Sequence, residues 1–511
     1  MNISSIVRRW CEINPAKTAI VAEGQKISYS ELVKRVNRTA CWLLSLGIEK
    51  GDRVAVMLKN SPEFMELYLA CSRVGIIFVP INFRSAEAEL KYFLENCEPR
   101  LFIFGSEFKD TVTKAGIKDT VPRLLLCTLG KTGNQGEFLD FNLEIGAFNG
   151  QRPDVEGSKG PSDPEEAHVI MYTSGTTGKP KGAVLSHRKT FFNCLNADIF
   201  FKLDFDDIML IVLPLFHSGG LFIQATPTLY KGATMIIYPK FDPNRAREDI
   251  QKYRVTKFLG VPTVYKSLLQ AWNAEKPIFS SLKICAIGGE KVTPEFMTQF
   301  REMGLPLRHV MGQTETSILL WASEDEVLRK PGSVGRPVFH SQVTILNKQG
   351  RPCKPGEIGE IVVRGTIMMN EYWRDPERTQ GTIRNGWLHT GDLARMDEDG
   401  FYYLVDRAKD MYISGGENVY PAEVERVLRE HPRIEDVAVV GVPDEKWGEV
   451  GHVFVICKGG CSLKSEDILS FCEGRLARFK WPKKFTFCKE FPRTDLGKVK
   501  KGLLREEAKG Q

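Results

Sequence analysis

Short apolar stretches alternate with amphipathic stretches through about the first four hundred residues of the chain. Residues 52–58 are predicted to form one strand, Asn60 or Ser61 can cap the helix that follows, and this helix ends near Gly75. The apolar residues 76–79 then form the next strand. A strand, a helix and a second strand in this order indicate a βαβ unit with parallel strands.

The same order recurs further along the chain. Residues 245–253 are predicted to form a helix that leads to the apolar segment 258–261, and residues 282–287 form a strand that ends at two glycines. Near Asp406 the pattern changes to a charged stretch with several glycines and prolines, followed by a short amphipathic helix with Val424 on its apolar face. We therefore predict an α/β protein. Its large N-terminal domain (1–406) has mostly parallel sheets covered by helices, and its small C-terminal domain (407–511) is also α/β.

Composition supports an ordered protein of more than one domain. The chain has 511 residues, of which 42% are hydrophobic, and it exceeds the usual size of a single hydrophobic core. Its net charge of +6 is small, but residues 475–511 hold twelve lysines and arginines against four acidic residues. This local charge of +8 could attract a polyanionic small molecule, although a solvated basic surface is the simpler interpretation. There is no basic tract of the kind that binds nucleic acid.

Cysteines and the apolar stretches bear on the cellular location. The twelve cysteines are scattered without the spacing of a zinc site or a disulfide framework, which favours a reducing cytoplasm. Two arginines interrupt the place where a signal peptide would need an apolar stretch. Residues 208–230 lack charge, but prolines, glycines and a histidine divide them, so we expect a buried strand, loop and helix rather than a transmembrane segment.

Residues 172–182, YTSGTTGKPKG, form the strongest chemical motif and are called the glycine loop. Gly175 and Gly178 allow backbone N–H groups to turn toward an anion. Hydroxyl and ammonium donors in the loop are Ser174, Thr176, Thr177, Lys179 and Lys181. The spacing is not that of a Walker A loop, and Pro180 disfavours an immediate helix, so the loop is predicted to join two strands. By composition alone, a surface linker is an equally good interpretation.

The whole string resembles the phosphate-binding signature of the adenylate-forming superfamily, which includes acyl-CoA synthetases, luciferases of the firefly type and peptide-synthetase adenylation domains. The resemblance continues in order along the chain through PLFHSGG, GVPTVY, GGEKV, MGQTETS, GWLHTGD, DRAKDMYISGGENVYPAEVE and PRTDLGKVKK. The chain is most similar to the fatty-acyl- and aryl-CoA synthetases, which are two-domain enzymes.

This resemblance implies a nucleotide site. The implied phosphate contacts are Thr173, Ser174, Gly175, Thr176, Thr177, Gly178 and Lys179. The implied adenine contacts are Gly288, Gly289, Glu290 and Met311, and the nucleotide site further includes Gly312, Gln313 and Thr314. Asp392 and Arg407 match ribose contacts, and Glu315 with Thr176 matches the magnesium site, where carboxylate and phosphate oxygens suit a hard cation. Met311 replaces the usual tyrosine, which removes a hydroxyl but keeps a side chain able to cover a purine.

The resemblance also implies the catalytic residues. Lys498 matches the lysine that bridges the carboxylate and the α-phosphate, and His217 matches a gate at the mouth of the acyl pocket. Lys409 matches the hinge about which the C-terminal domain swings to present the loop of Gly415, Gly416 and Glu417 for thiolation. Apolar neighbours suggest an apolar acyl site, and the sequence indicates no buried cation there. These neighbours are Phe216, Leu221, Phe222, Val261, Ile287 and Leu319.

The predicted function is ATP-dependent acyl-CoA synthesis through acyl-AMP from a fatty, aromatic or alicyclic acid, with Mg²⁺ as cofactor and coenzyme A as co-substrate. The net reaction can run backwards where pyrophosphate accumulates, because phosphoanhydride and thioester energies are comparable. An acyl-AMP-forming enzyme with another acceptor and a non-catalytic nucleotide-binding scaffold are the alternatives. A nucleic-acid partner is not expected, and monomer and homodimer both stay open.

Overall fold

A computed structural model describes the chain with several short gaps. The described residues are 2–117, 120–121, 123–130, 138–151, 153, 163–173, 180–271, 280–289, 292–305, 307–407, 409–414, 417–459, 461–473, 475–476, 478–494 and 497–509. The chain divides into two compact units, Met1–Gln342 with Val363–Leu388, and Val343–Val362 with His389–Gln511. The domain boundary between residues 406 and 407 stays a prediction.

Helices and strands alternate along the described residues. The strands are β1 Thr18–Ala22, β2 Gln25–Ser28, β3 Arg53–Met57, β4 Ile77–Pro80, β5 Leu101–Gly105, β6 Leu125–Leu129, β7 Leu139–Asp140, β8 Ala167–Thr173, β9 Lys181–Ser186, β10 Ile208–Ile211, β11 Thr234–Ile237, β12 Lys257–Gly260, β13 Ile284–Gly288, β14 Leu307–Gln313, β15 Ser317–Ala322, β16 Arg336–Pro337, β17 Gln342–Leu346, β18 Gly359–Arg364, β19 Glu371–Tyr372, β20 Ile383–Arg384, β21 Trp387–Met396, β22 Tyr402–Arg407, β23 Tyr412–Ser414, β24 Glu417–Val419, β25 Ile434–Asp444, β26 Gly448–Cys457 and β27 Lys484–Phe487.

The helices are α1 Ile3–Ile13, α2 Tyr29–Ser45, α3 Pro62–Val74, α4 Glu87–Cys97, α5 Lys109–Lys114, α6 Phe141–Gly146, α7 His187–Phe201, α8 Thr226–Tyr230, α9 Pro243–Lys252, α10 Pro262–Gln270, α11 Pro294–Glu302, α12 Glu324–Arg329, α13 Pro376–Thr382, α14 Pro421–Arg429, α15 Ser465–Cys472 and α16 Lys501–Lys509. Shorter helical turns are Ser106–Phe108 and Arg478–Lys480, and Gly219–Ala225 is a π-helix.

The predicted βαβ unit is confirmed by β3, α3 and β4. The Ser61 hydroxyl, and not Asn60, caps α3 by accepting a hydrogen bond from the Phe64 backbone N–H, and Pro62 occupies the first turn. Gly75 ends the helix at φ +74°, a left-handed conformation that favours glycine. Strands β3 and β4 then pair in parallel, and their buried residues read as continuous apolar runs because helices cover both faces.

Two large sheets form the frame of the first unit. In the described residues, one has the strand order β16-β15-β14-β13-β12-β10-β11-β1-β2, and the other has the order β19-β9-β8-β4-β3-β5-β6-β7. Strands β10 to β14 pair in parallel through the centre of the first sheet. The predicted class of α/β with mostly parallel sheets is therefore confirmed.

The second unit contains a smaller sheet with the order β24-β23-β26-β25 and β27 beside β26. Helices α14 and α15 bury Val424, Leu428 and Ile468 against one apolar cluster, and Leu504 of α16 lies in a second cluster with Phe491. The short amphipathic helix predicted in this part of the chain is confirmed by α14. A further sheet has the order β17-β18-β21-β20, with β22 paired to β21.

Residues 208–230 form β10, the π-helix and α8, as the interruptions in the apolar pattern predict. None of the helices in the described residues combines the length and the apolar character that crossing a membrane requires.

A buried glutamate on α3 makes stability depend on pH. Glu66 is 1% exposed and accepts a hydrogen bond from the Thr39 hydroxyl, and burial raises the pKa of its carboxyl to about 7. Because the folded state keeps this proton while the unfolded chain releases it, stability falls as pH rises toward 7. We expect Glu66→Gln to raise the free energy of unfolding by roughly 1–3 kcal/mol at pH 8 and by much less at pH 5. Urea unfolding at both pH values measures this, with Glu248→Gln, an exposed residue of α9, as control. An equal effect at both pH values would contradict the prediction.

Candidate functional site

The glycine loop connects two antiparallel strands. The ladder between β8 and β9 ends where Thr173 pairs with Lys181, which confirms that the loop joins two strands rather than a strand and a helix. Ser174, Gly175, Thr176, Thr177, Gly178 and Lys179 lie outside the described residues. Their phosphate contacts and the metal contact of Thr176 therefore stay predictions.

A chain of contacts leads from the end of this loop to Glu315. Tyr372 pairs with Ala183 of β9, and the Lys181 ammonium nitrogen lies 4.6 Å from the centroid of the Tyr372 ring. The Tyr372 hydroxyl donates a hydrogen bond to Glu315 Oε1 at 2.8 Å, and Glu315 is 7% exposed. Burial, together with the Glu315 charge, raises the pKa of Tyr372, so this hydroxyl stays protonated as a donor.

Glu315 belongs to residues 312–317, which connect β14 to β15 and are called the glutamate turn. Gly312 is required by close backbone packing, since a Cβ atom there would lie 1.8 Å from the Ser317 carbonyl oxygen. Ser317 has φ +58°, a left-handed conformation that costs energy for any residue with a side chain. Gln313 and Thr314 are half-buried beside Glu315. The turn is therefore a tight structure with a defined direction for its carboxylate.

Adenine-site residues predicted from the resemblance lie at neighbouring strand ends. Gly288 pairs with Val310, and a Cβ atom at Gly288 would lie 2.2 Å from the Val310 carbonyl oxygen. Met311 follows Val310 and is half-buried, and Gly289 has φ +84°. The structure thus brings the ends of β13 and β14, with Gly288 and Met311, side by side. Glu290 lies outside the described residues.

The carboxyl ends of the parallel strands meet at one edge of the first sheet, where ligands bind in open α/β sheets. The segment with His217 follows β10, Val261 follows β12, Gly289 follows β13, and the glutamate turn follows β14. Sequence reasoning had collected these residues by motif, and the strand order gives the physical reason for their grouping.

His217 lies on a half-buried segment with its ring 4.4 Å from the Phe216 ring centroid. Asn60, which sequence reasoning considered only as a helix cap, anchors this segment. Its amide nitrogen donates to the Leu213 carbonyl oxygen at 2.9 Å, and its amide oxygen accepts from the Leu215 N–H at 2.7 Å. The gating role of His217 stays a prediction.

The two predicted ribose residues contact each other within the second unit. Asp392 on β21 pairs with Arg407 on β22 across the strand ladder, and Arg407 Nε lies 2.5 Å from Asp392 Oδ1. Asp392 is 5% exposed. Glu360, which sequence reasoning missed, holds the preceding residues of β21 by accepting from the Gly391 N–H at 2.9 Å and by lying 2.7 Å from His389 Nδ1.

Lys498 is exposed on a closed backbone turn. The Thr494 N–H donates to the Lys498 carbonyl oxygen at 2.7 Å, and Gly497 has φ +87°. Arg493 clamps the turn, because its guanidinium donates to the Gly497 carbonyl oxygen at 2.7 Å and pairs with Asp436 at 2.5 Å. These bonds hold the described residues on either side of the turn, and Lys498 is exposed.

The remaining predicted residues of the second unit lie on short connections. Lys409 is exposed, and its neighbour Asp410 lies 3.3 Å from Arg505 of α16. Glu417 begins β24 and pairs with Ser414 of β23. Gly415 and Gly416, between these strands, lie outside the described residues. The hinge and thiolation roles stay predictions.

One buried cation was missed. Lys189 on α7 is 1% exposed, donates a hydrogen bond from Nζ to the Ser317 hydroxyl at 2.6 Å, and lies 5.7 Å from the Phe222 ring centroid. Sequence reasoning did not identify this cation, which lies near Phe222, one of the apolar residues expected around the acyl group. A lysine near the start of a helix is usually exposed to solvent, so the local sequence does not indicate that Lys189 is buried. Only its long-range hydrogen bond to Ser317 shows where its ammonium group lies.

Comparison with known proteins agrees with this arrangement. The model of a family described as AMP-binding enzyme matches residues 7–373, and that of its C-terminal domain matches residues 423–498. A feruloyl-CoA synthase of Amycolatopsis is 37% identical over 98% of this chain and 97% of its own length. An indoleacetate–CoA ligase of Aromatoleum aromaticum is 36% identical over 99% and 98%.

Among solved structures, ATP-bound MatB from Rhodopseudomonas palustris superposes with a TM-score of 0.89 and 31% identity, covering 100% of this chain and 99% of that one. Both the matching models and the similarity along nearly the whole length confirm the predicted resemblance. The chain therefore belongs to the AMP-binding enzyme family, within the acyl- and aryl-CoA ligase branch of the adenylate-forming enzymes.

Proposed function

We propose that this enzyme activates an apolar, aryl-substituted carboxylic acid as an acyl-adenylate and transfers the acyl group to coenzyme A. The main supporting observation is the link from Lys181 through the Tyr372 ring and hydroxyl to the buried Glu315 carboxylate. This link joins the end of a phosphate-binding loop to the acidic residue that the family motif associates with magnesium. A triphosphate and a metal ion would meet there.

The residues around Glu315 fit Mg²⁺. This ion prefers few protein oxygens and completes its shell with water and phosphate oxygens. Among the described residues, no cluster of three histidines, cysteines or acids could hold a metal ion. In this proposal the nucleotide and Glu315 share the ion, with Thr176 as the second protein ligand. Bound there, Mg²⁺ would supply positive charge to the phosphate oxygens.

The chain's own residues hold the rest of the nucleotide in this proposal. Gly288 and Gly289 offer backbone to one side of adenine, and Met311 covers the ring. The Asp392 carboxylate accepts hydrogen bonds from the two ribose hydroxyls, and Arg407 holds that carboxylate in place. In this proposal, contacts to adenine and ribose restrict where the α-phosphate can lie.

In the first reaction, an oxygen of the substrate carboxylate attacks the α-phosphorus, and the bond from that phosphorus to pyrophosphate breaks. Two anions approach each other in this step. We propose that the Lys498 ammonium approaches both anions and offsets the charge that develops on the phosphorus oxygens.

In the second reaction, the coenzyme A sulfur attacks the carbonyl carbon of the mixed anhydride, and AMP leaves. Mixed anhydrides react readily with thiols, so positioning matters more than a strong base. We propose that Gly415, Gly416 and Glu417 form the floor for the pantetheine arm and that His217 opens its path. Basic residues after 475 attract the coenzyme A phosphates.

One observation supports an apolar acid, and the names of two relatives favour an aryl group. Six apolar residues expected around the acyl group are all buried: Phe216, Leu221, Phe222, Val261, Ile287 and Leu319. The two relatives described above carry the names of a feruloyl-CoA synthase and an indoleacetate–CoA ligase. A reducing cytoplasm is the proposed location, because all twelve cysteines are free thiols.

A panel of carboxylic acids tests this proposal. The full chain is incubated with MgATP, coenzyme A and phenylpropenoic, arylacetic, benzoic, octanoic, palmitic or malonic acid, and AMP and the thioester are quantified. We expect equal amounts of AMP and thioester, with kcat/KM highest for an arylacetic or phenylpropenoic acid. Highest kcat/KM for palmitic or malonic acid would overturn the aryl assignment, and AMP without thioester would overturn coenzyme A as acceptor.

Loss of the ribose carboxylate should act on nucleotide affinity. We expect Asp392→Asn to raise the KM for ATP by about 10- to 100-fold, because an amide accepts fewer hydrogen bonds than a carboxylate and loses the pairing with Arg407. The KM for the acid should change little. Initial rates at varied ATP concentration measure this, with the surface variant Asp399→Asn as control. A larger effect on the acid than on ATP would contradict the role.

A further inference from the structure

The buried lysine of α7 has an unusual position for its charge. Lys189 is 1% exposed, and its ammonium group donates a hydrogen bond to the Ser317 hydroxyl at 2.6 Å. The helix begins with Ser186, whose hydroxyl accepts from the Lys189 N–H, so the backbone position of Lys189 is fixed by the cap. Its side chain therefore extends from a rigid base to the glutamate turn.

The contacted serine is the strained residue of that turn. Ser317 has φ +58°, and it lies two residues after Glu315. Its carbonyl oxygen packs against the Gly312 backbone so closely that no other residue fits at position 312. A left-handed serine persists only where the surroundings determine it, and the hydrogen bond from Lys189 is one such determinant.

Stability alone does not account for a lysine here. Burial lowers the pKa of Lys189 to about 7, and the negative charge of Glu315 partly opposes this. An apolar side chain of the same length would avoid the desolvation of an ammonium group. Residues that lower stability are found where a reaction needs them.

We propose that Lys189 is a positioning residue for the magnesium-associated carboxylate: through its hydrogen bond to Ser317 it holds the glutamate turn in the conformation that directs Glu315 toward MgATP. The inference rests on the proposed function of the same site. It deepens that function, because the conformation of the turn determines how well Glu315 receives the metal. Partners that orient a metal-binding side chain contribute to metal affinity and activity.

Four variants of the full chain test the proposal: Lys189→Met, Ser317→Ala, the two combined, and Lys189→Met with Ser317→Gly. Lys189→Met keeps the length and removes the donor, and we expect it to raise the Mg²⁺ concentration for half-maximal AMP formation by about 10- to 100-fold. The KM for the acid should stay within about twofold, and the Tm should equal or exceed that of the wild type, because a buried charge is removed.

The serine variants separate positioning from other roles. Ser317→Ala loses the acceptor but keeps the strained backbone, so it should resemble Lys189→Met, and the double variant should be no worse than either single one. Glycine adopts φ +58° without support, so Ser317→Gly should restore much of the Mg²⁺ affinity lost in Lys189→Met. A merely structural role would not give this rescue.

Two measurements decide between these outcomes. Wild-type AMP formation, measured in parallel, tests the proposed function, whereas calorimetric titration of MgATP into each variant tests the positioning role even without turnover. Unchanged Mg²⁺ dependence and MgATP affinity in Lys189→Met, or an increase confined to the KM for the acid, would overturn the proposal. The latter result would assign Lys189 to acid binding instead.

Discussion

Replacing Lys498 with alanine is expected to lower the rate of acyl-AMP formation by about 10²- to 10³-fold, as removal of one group that stabilises transition-state charge does. Lys498 is exposed, and Arg493 holds the neighbouring Gly497 through its carbonyl oxygen, so we expect the substitution to remove the charge and to keep the backbone. Thiolysis of supplied acyl-AMP should change by less than about threefold, because no second anion approaches the phosphorus in that reaction. Single-turnover measurements of the two half-reactions give the two rates.

Lys458→Ala is the matched control for Lys498→Ala. Lys458 is an exposed lysine of the same unit, next to the end of β26, and it lies outside the basic stretch after residue 475. The control should keep both rates. Equal losses in adenylation and thiolysis for Lys498→Ala would contradict the role assigned to this lysine, as would an unchanged adenylation rate.

Replacing Glu315 with glutamine is expected to lower acid-dependent pyrophosphate exchange by about 10²- to 10³-fold, because the substitution removes a charge from the proposed metal site. Glutamine has nearly the same shape and still accepts a hydrogen bond from the Tyr372 hydroxyl, so the local packing should survive. Excess Mg²⁺ should restore part of the activity if the lost interaction is with the metal. Exchange rates at increasing Mg²⁺ concentration measure this.

Glu371→Gln provides the control on the same segment as Tyr372. Glu371 is an exposed residue of β19, next to Tyr372 in the chain. Its substitution with glutamine removes one negative charge, as Glu315→Gln does. This control should keep wild-type exchange. Activity of Glu315→Gln above about one tenth of wild type at all Mg²⁺ concentrations would contradict a metal role, since the neutral side chain is a poor ligand for a hard cation.

Much of the fold was predictable because its signals are local. The apolar runs at 52–58 and 76–79, with a capping serine between them, give β3, α3 and β4 from hydrophobic pattern and turn chemistry alone. Strand order is a different matter. The pairing of β10 with both β11 and β12 depends on which apolar faces meet in three dimensions, and no local pattern encodes it.

The residues of the candidate site were likewise predictable only where their signal is local. Glu315 and Lys498 were identified because they stand in long motifs, whereas Lys189 and Tyr372 were not, because their contacts join residues far apart in the chain. Asn60 was considered as one of two candidate caps for α3. Its side chain instead bonds to the backbone of Leu213 and Leu215, about 150 residues away. Residues that support a site from another element leave little trace in the sequence around it.

Acid-dependent exchange of labelled pyrophosphate into ATP, measured without coenzyme A, tests the central claim most directly. The exchange requires reversible formation of acyl-AMP at one site that holds ATP, Mg²⁺ and the acid together. The wild-type chain should catalyse exchange with an aryl-substituted acid, and it should lose exchange when the acid or Mg²⁺ is omitted. Thioester formation without any exchange, or exchange that does not depend on an acid, would contradict the proposed adenylation.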